Sequence, residues 1–202
     1  MSMKIGIIDY GAGNLFSVKN ALSFIGVESA IISDKVDIEK ADALILPGVG
    51  AFGDSVNMLR EKGLFDSVKA NAVKKPFLGI CLGMQLLFTK SYEYGETKGL
   101  DLISGDVVKM ESKSLSIPHM GWNELEIKQD SSLLKGLEKS TYVYFVHSYM
   151  ARCDEANIIA ECDYGGRVPA IVKKGNVFGV QFHPEKSGDA GLVILKNFAE
   201  LV

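Results

Sequence analysis

Apolar positions in this chain fall into short runs separated by amphipathic segments. Lys4–Tyr10 (KIGIIDY), Val27–Ile32, Ala43–Leu46 and Phe77–Ile80 are strand-length, and the first has the near-continuous hydrophobicity of a strand covered on both faces. Between them, Asn14 is placed to cap a helix running to about Phe24, and Phe52–Lys62 and Leu64–Val73 have helical spacing. This alternation predicts a parallel sheet with helices on both faces. From Gly99 the texture changes. Val107–Met110, Glu124–Ile127, Tyr142–Val146, Ile158–Cys162, Ala170–Lys173 and Val177–Gln181 read as short strands, with a hairpin turn at Lys174-Gly175-Asn176. Gly191–Leu201 closes the chain as an amphipathic helix with Leu192, Leu195 and Phe198 inward. The expectation is one α/β domain over residues 1–202, three-layered, with a mostly parallel central sheet and a mixed, partly antiparallel extension.

Length and composition are those of one globular domain with a substantial core: 202 residues, 47% hydrophobic and 23% charged. A net charge of −3 without a basic cluster gives no support for binding nucleic acid or an anionic membrane. No apolar stretch reaches the length of a membrane span. Met1-Ser2-Met3-Lys4 leads straight into a strand-like run with no signal peptide, and three scattered cysteines make neither a disulfide framework nor a C-x-x-C metal site. A reducing, cytoplasmic compartment is expected, with no metal and no cofactor. Gly11-Ala12-Gly13-Asn14 invites a dinucleotide-loop reading, but the third glycine would fall at Phe16, so a tight strand–helix turn is the better one.

The chemistry centres on Pro76–Leu87 (PFLGICLGMQLL). An apolar run leads into a cysteine between glycines, Gly79-Ile80-Cys81-Leu82-Gly83, and a second run follows with Leu82, Gln85 and Leu86 at helical spacing. That is a strand-to-helix elbow with a thiol at its tip, where the first turn of a helix favours the thiolate. Gly79 and Gly83 permit the sharp turn and the approach of neighbouring elements. Of the three histidines, His183 ends a strand and stands two residues before Glu185, so ring and carboxylate can lie on one side of an extended segment. Together with Cys81 they make a nucleophile–base–acid triad. Taken alone, a His-x-Glu is more often a strand cap beside a solvated charge; the elbow tips the balance. The backbone N–H of Leu82 is one candidate oxyanion donor. Val49, between Gly48 and Gly50 at another strand end, supplies a second that a peptide flip would make conditional. His119, among Pro118, Gly121 and the only tryptophan, could compete as base from a packed or interface loop. His147, inside a strand-like run, reads as structural, as do Cys153 and Cys162.

Gly79–Gln85 together with His183-Pro184-Glu185 resembles the class I, triad-type glutamine amidotransferases over the length of the chain. Pro47–Gly50, Pro118–Asn123 and Tyr144–Tyr149 are similar, without departure, to the glutaminase subunits of imidazole glycerol phosphate synthase. The resemblance implies a glutaminase that forms a thioester on Cys81, with His183 as base and then acid and Glu185 orienting it. It implies glutamine held by Gly48, Gly50, Gln85 and the backbone around Ser148 and Tyr149. It further implies ammonia channelled to a (β/α)8-barrel cyclase subunit in histidine biosynthesis, with Asn14 and Trp122 at the interface. The nearest rival is a paralogous subunit supplying ammonia to a surface-polysaccharide sugar. Subunits for anthranilate or pyridoxal phosphate synthesis fit Pro118–Asn123 less well. A cysteine-elbow peptidase or chaperone usually lacks the His183-Pro184-Glu185 arrangement, and a non-catalytic binding module does not require an intact triad.

Overall fold

A computed structural model of the chain describes residues 5–112 and 115–202. Met1–Lys4, and with them the head of the first expected strand, lie outside the described residues. The first half alternates as expected: β1 (Ile5–Ile8), α1 (Leu15–Phe24), β2 (Ser29–Ile32), α2 (Lys35–Lys40), β3 (Ala43–Gly48), α3 (Phe52–Glu61), α4 (Phe65–Ala72), β4 (Phe77–Cys81) and α5 (Leu82–Gln85). The second half carries β5 (Phe88–Ser91), β6 (Thr97–Lys98), β7 (Ile103–Lys109), β8 (His119–Glu124), β9 (Glu126–Ile127), β10 (Tyr142–His147), β11 (Tyr149–Cys153), β12 (Ile158–Asp163), β13 (Arg167–Lys174), β14 (Val177–Val180) and α6 (Gly188–Ala199).

An eight-stranded sheet joins the two halves in the order β2-β1-β3-β4-β14-β13-β12-β9. The five strands from β2 to β14 are parallel and the remaining three antiparallel. Side chains alternate across it, as a strand's pleat requires. Ile5, Ile7, Ala43, Ile45, Leu78 and Ile80 pack on one face with Val18 and Leu22 of α1 and Ile194, Leu195 and Phe198 of α6. Ile8, Leu44, Leu46 and Phe77 pack on the other with Ile38, Val56, Leu59 and Val68 of α2, α3 and α4. Each isoleucine, leucine, valine or phenylalanine among them contributes about 1.5–3 kcal/mol when fully buried. A four-stranded sheet, β11-β7-β5-β6, adds to the second face, and the ribbon β10-β8 to the first.

Several expectations need correction. Helix α2 gave no apolar signal, because in Lys35–Lys40 only Ile38 is buried. It is held by its ends: the Asp34 carboxylate accepts from Asp37 N–H at 2.9 Å, and Lys75 Nζ donates to the carbonyls of Ile38, Glu39 and Ala41. Asn14 stands at the N-cap of α1 but caps no helix N–H; its Oδ1 accepts from the Ser17 hydroxyl instead. The helix after the elbow is one turn long. Leu82 to Phe88 are buried without exception, so the run has no polar face to distinguish a helix from a fold-back, and it turns into β5. In α6 the inward positions are Ile194, Leu195 and Phe198, with Leu192 half-buried. His119 lies in a strand rather than a loop, paired to His147 across the ribbon.

Candidate active site

Cys81 ends the central strand β4, flanked by the ends of β3 (Gly48 opposite Cys81) and β14 (Val180 opposite Ile80). Carboxyl ends of neighbouring parallel strands converge there, the usual place for a site in such a sheet. The turn is made by the cysteine itself, with φ 55° and ψ −112°, a conformation that a residue with a Cβ seldom adopts. Glycines provide the room. A Cβ on Gly79 would stand 2.5 Å from the Gly83 carbonyl oxygen, and one on Gly83 would run into the Leu46 carbonyl. One on Gly48 would lie 2.7 Å from Gly83 N and 2.8 Å from the Tyr10 hydroxyl. The two glycines flanking the cysteine thus serve close approach, and the positive φ falls on Cys81.

His183 and Glu185 meet as their spacing predicts. His183 Nδ1 lies 2.8 Å from Glu185 Oε1, both side chains are buried, and the Cys81 sulfur interacts electrostatically with the ring. Burial pulls the imidazole pKa down. The interactions with Cys81 and Glu185 outweigh it and raise the ring from its ordinary 6.5 to about 9. His183 therefore carries its proton at neutral pH. The second carboxylate oxygen, Glu185 Oε2, has no hydrogen-bond partner in its buried site, so the ring supplies its compensating charge. The backbone is pinned as well: His183 N–H donates to Tyr144 O, and the Ser187 hydroxyl donates to His183 O while accepting from Tyr144 N–H.

A cleft of about 450 Å³ opens over the sulfur, within the usual range for a small-molecule site. Among the candidate residues, Val49, Gly50, Cys81, Leu82, Gln85, Ser148 and Tyr149 line it. Gly48 lies beneath the elbow instead, and Asn14 and Trp122 are outside the cleft. No backbone acceptor among the described residues takes the Val49 or Gly50 N–H. Leu82 N–H opens a helical turn, where no intrahelical partner exists. Gln85 Nε2 spends its hydrogens on Tyr149 O, at 2.9 Å, and Gln181 Oε1, at 3.0 Å. His147 Nδ1 also lies 2.9 Å from Tyr149 O. With two donors the Tyr149 carbonyl is filled, so contact with a ligand falls to other atoms of that residue.

Several lining or supporting residues carried no signal in the sequence. Glu93 brings a carboxylate to the cleft and accepts from Phe52 N–H at the start of α3. Val146 O faces Cys81 Sγ at 3.9 Å, and Gln181 Nε2 lies 3.8 Å from it. His119 does not compete as base. It is stacked between Phe145 and Tyr164 with its Nδ1 3.1 Å from His147 Nε2. Burial pushes both rings down to about 4, so they are neutral. Burial likewise pushes the Cys153 and Cys162 thiols up to about 11 and 12, leaving them poor nucleophiles. Among the described residues no group of three or more His, Cys, Asp or Glu could hold a metal ion, and no helix is long and apolar enough to cross a membrane.

Residues 6–201 match the family described as glutamine amidotransferase class-I. A protein named imidazole glycerol phosphate synthase subunit HisH, from Caldanaerobacter subterraneus subsp. tengcongensis, is 53% identical over 200 residues, covering 98% of each chain. The protein of the same name from Carboxydothermus hydrogenoformans is 51% identical over 198 residues, covering 97% of this chain and 98% of its own. A crystal structure titled glutamine amidotransferase superposes with a TM-score of 0.76 at 25% identity, over 98% of this chain and 97% of that one. A structure of PurLQS from Thermotoga maritima shares the fold, with a TM-score of 0.75 at 21% identity over 99% of each chain. The chain belongs to the class-I glutamine amidotransferase family, within its group of imidazole glycerol phosphate synthase HisH subunits.

Proposed function

We propose that residues 1–202 form one glutaminase domain in which Cys81, His183 and Glu185 hydrolyse glutamine for imidazole glycerol phosphate synthase. The observation that carries this reading is the buried Glu185 carboxylate 2.8 Å from His183 Nδ1, beside the elbow that carries Cys81. The Cys81 thiolate attacks the side-chain amide carbon of glutamine, and charge moves to the carbonyl oxygen. The N–H groups of Leu82 and Val49 receive that oxyanion. The His183 imidazolium gives its proton to the amide nitrogen, the C–N bond breaks, and ammonia leaves a γ-glutamyl thioester. Neutral His183 then takes a proton from water, hydroxide adds to the thioester, and glutamate departs as the thiolate is expelled and His183 regains its charge. Glu185 keeps Nδ1 protonated throughout, so the nitrogen facing sulfur performs both transfers. Of the lining residues Glu93 alone has a carboxylate, suited to the α-ammonium group of glutamine; Gly50, Gln85, Ser148 and Tyr149 complete the substrate site, over Gly48.

Ammonia passes to a (β/α)8-barrel cyclase subunit, which makes imidazole glycerol phosphate and an aminoimidazole carboxamide ribonucleotide in histidine biosynthesis. The ribbon β8–β10 supports a docking role near the cleft. Met120 and Trp122 on β8 and Tyr142 on β10 are exposed, Trp122 packs edge-on to Tyr144, and Val146 on the same ribbon lines the cleft. Trp122, with Asn14 at the start of α1, is assigned to the partner interface. Gly50, at φ 91° with open space around it, lets the Val49 peptide turn over, so the oxyanion donor can be completed only in the activated complex. The test is glutamate release from glutamine by the chain alone, with a histidine-pathway cyclase, and with that cyclase plus its ribonucleotide, using Cys81→Ser as control. Stimulation by cyclase and ligand that vanishes in the mutant is the expected result. Absence of binding and stimulation would send the ammonia to another acceptor, and hydrolysis surviving in Cys81→Ser would overturn the site.

A further inference from the structure

The Cys81 sulfur has a neighbour that the steps above leave unused. Gln181 is fully buried, follows β14 directly and stands two residues before His183, with Nε2 3.8 Å from Sγ. The direction of this contact is set from the far end of a chain of amides. The Tyr149 carbonyl can only accept, so Gln85 must present its NH2 group there. The other hydrogen of that group goes to Gln181 Oε1, which leaves Gln181 with its own NH2 toward the sulfur. On another side stands the Val146 carbonyl, an acceptor, at 3.9 Å. The sulfur is thus placed between a donor that suits a thiolate and an acceptor that suits a thiol.

We propose that Gln181 is part of the catalytic machinery: its side-chain N–H hydrogen-bonds the Cys81 thiolate, aims it before attack and receives it again when the thioester is hydrolysed. Hydrogen bonds to an ionised partner are the stronger kind, and this one forms on the leaving sulfur during the second half-reaction. Gln85 then has two duties, facing the cleft and fixing which end of Gln181 meets the sulfur. The inference rests on Cys81 being the nucleophile. The titratable groups disposed around the sulfur are His183 with Glu185 behind it, Tyr10 beneath Gly48, His147 on β10, and Glu93 across the cleft.

Gln181→Glu tests it most directly, because it keeps an acceptor for Gln85 and removes the donor toward sulfur; Gln181→Met removes both. The full-length chain is alkylated with iodoacetamide across pH, modification is followed at the Cys81 peptide by mass spectrometry, and kcat and KM for glutamine are measured in the cyclase complex. In both variants the alkylation midpoint moves up by about one pH unit or more, the equivalent of one hydrogen bond to a charged group. The kcat falls about tenfold or more while KM stays within about threefold, since Gln181 does not line the cleft. Folded variants with the wild-type midpoint and kcat overturn the proposal, as does a rise in KM alone, which would mean that Gln181 acts only through Gln85. Should neither variant fold, the wild-type side-chain amide resonance of Gln181 decides. It must follow the titration of Cys81 and lose that response in Cys81→Ala. If hydrolysis persists in Cys81→Ser, the reading of the site itself fails, an outcome separate from either result with Gln181.

Discussion

Replacing Glu185 by glutamine leaves an acceptor beside His183 Nδ1 and removes its charge. In the wild type the ring is carried from 6.5 to about 9, which corresponds to roughly 3 kcal/mol. The substitution removes the Glu185 charge and leaves the Cys81 interaction in place, so it should bring His183 down by roughly one pH unit, about 1.4 kcal/mol. A folded-state pKa above the unfolded one gives stability that is complete below about 6.5 and is lost as pH rises through about 9. In the variant the same loss occurs about one unit earlier. The gap in unfolding free energy between wild type and Glu185→Gln should therefore shrink by about 1.4 kcal/mol between pH 6 and pH 10. Urea unfolding at the two pH values measures this. Burial raises Tyr10, Cys153 and Cys162 in both proteins, and their alkaline destabilisation cancels in the difference. A gap that does not change with pH would refute the idea that Glu185 holds the imidazolium.

Three further outcomes follow from the geometry. Gly83→Ala drives a methyl group into the Leu46 carbonyl and should cost about 2–3 kcal/mol while abolishing hydrolysis; a variant with wild-type melting temperature and activity would show that the elbow can relax. Glu93→Gln keeps the acceptor for Phe52 N–H but removes the charge offered to the α-ammonium group. Its KM for glutamine should rise about tenfold or more with a smaller change in kcat, and an unchanged KM removes Glu93 from the substrate site. Trp122→Ala should weaken cyclase binding about tenfold or more by calorimetry and leave the melting temperature and basal hydrolysis of the isolated chain unchanged. Equal affinity would count against Trp122 at the interface.

The grouping of Cys81, His183 and Glu185 was legible because each has a local signature: glycines bracketing a cysteine after an apolar run, and a histidine two residues from a glutamate at a strand end. The supporting shell has none. Gln181 is one more polar residue at the end of an apolar strand, and its meaning comes from a register that sets β14 beside β4. Glu93 reaches the cleft from a turn after β5, a strand that begins where the uniformly buried run behind the elbow ends. β8 was unreadable as a strand because His119–Glu124 (HMGWNE) has little β propensity; pairing with β10 and the stacking of His119 between Phe145 and Tyr164 hold it. Helix α2 is stabilised at its termini by Asp34 and by Lys75, distant in sequence, neither of which hydrophobic periodicity can register.

The backbone at Cys81 suits glycine better than the residue that occupies it. A side chain held at φ 55° and ψ −112° costs on the order of 1–3 kcal/mol. Selection for thermostability alone, acting on this chain in a cell supplied with histidine, would therefore favour Cys81→Gly: a firmer fold with no chemistry. That the position carries a thiol marks the elbow as the point where fitness for catalysis and fitness for folding pull apart. A library of this gene sorted first for solubility and then for growth without histidine should record the two pressures with opposite signs at this one codon.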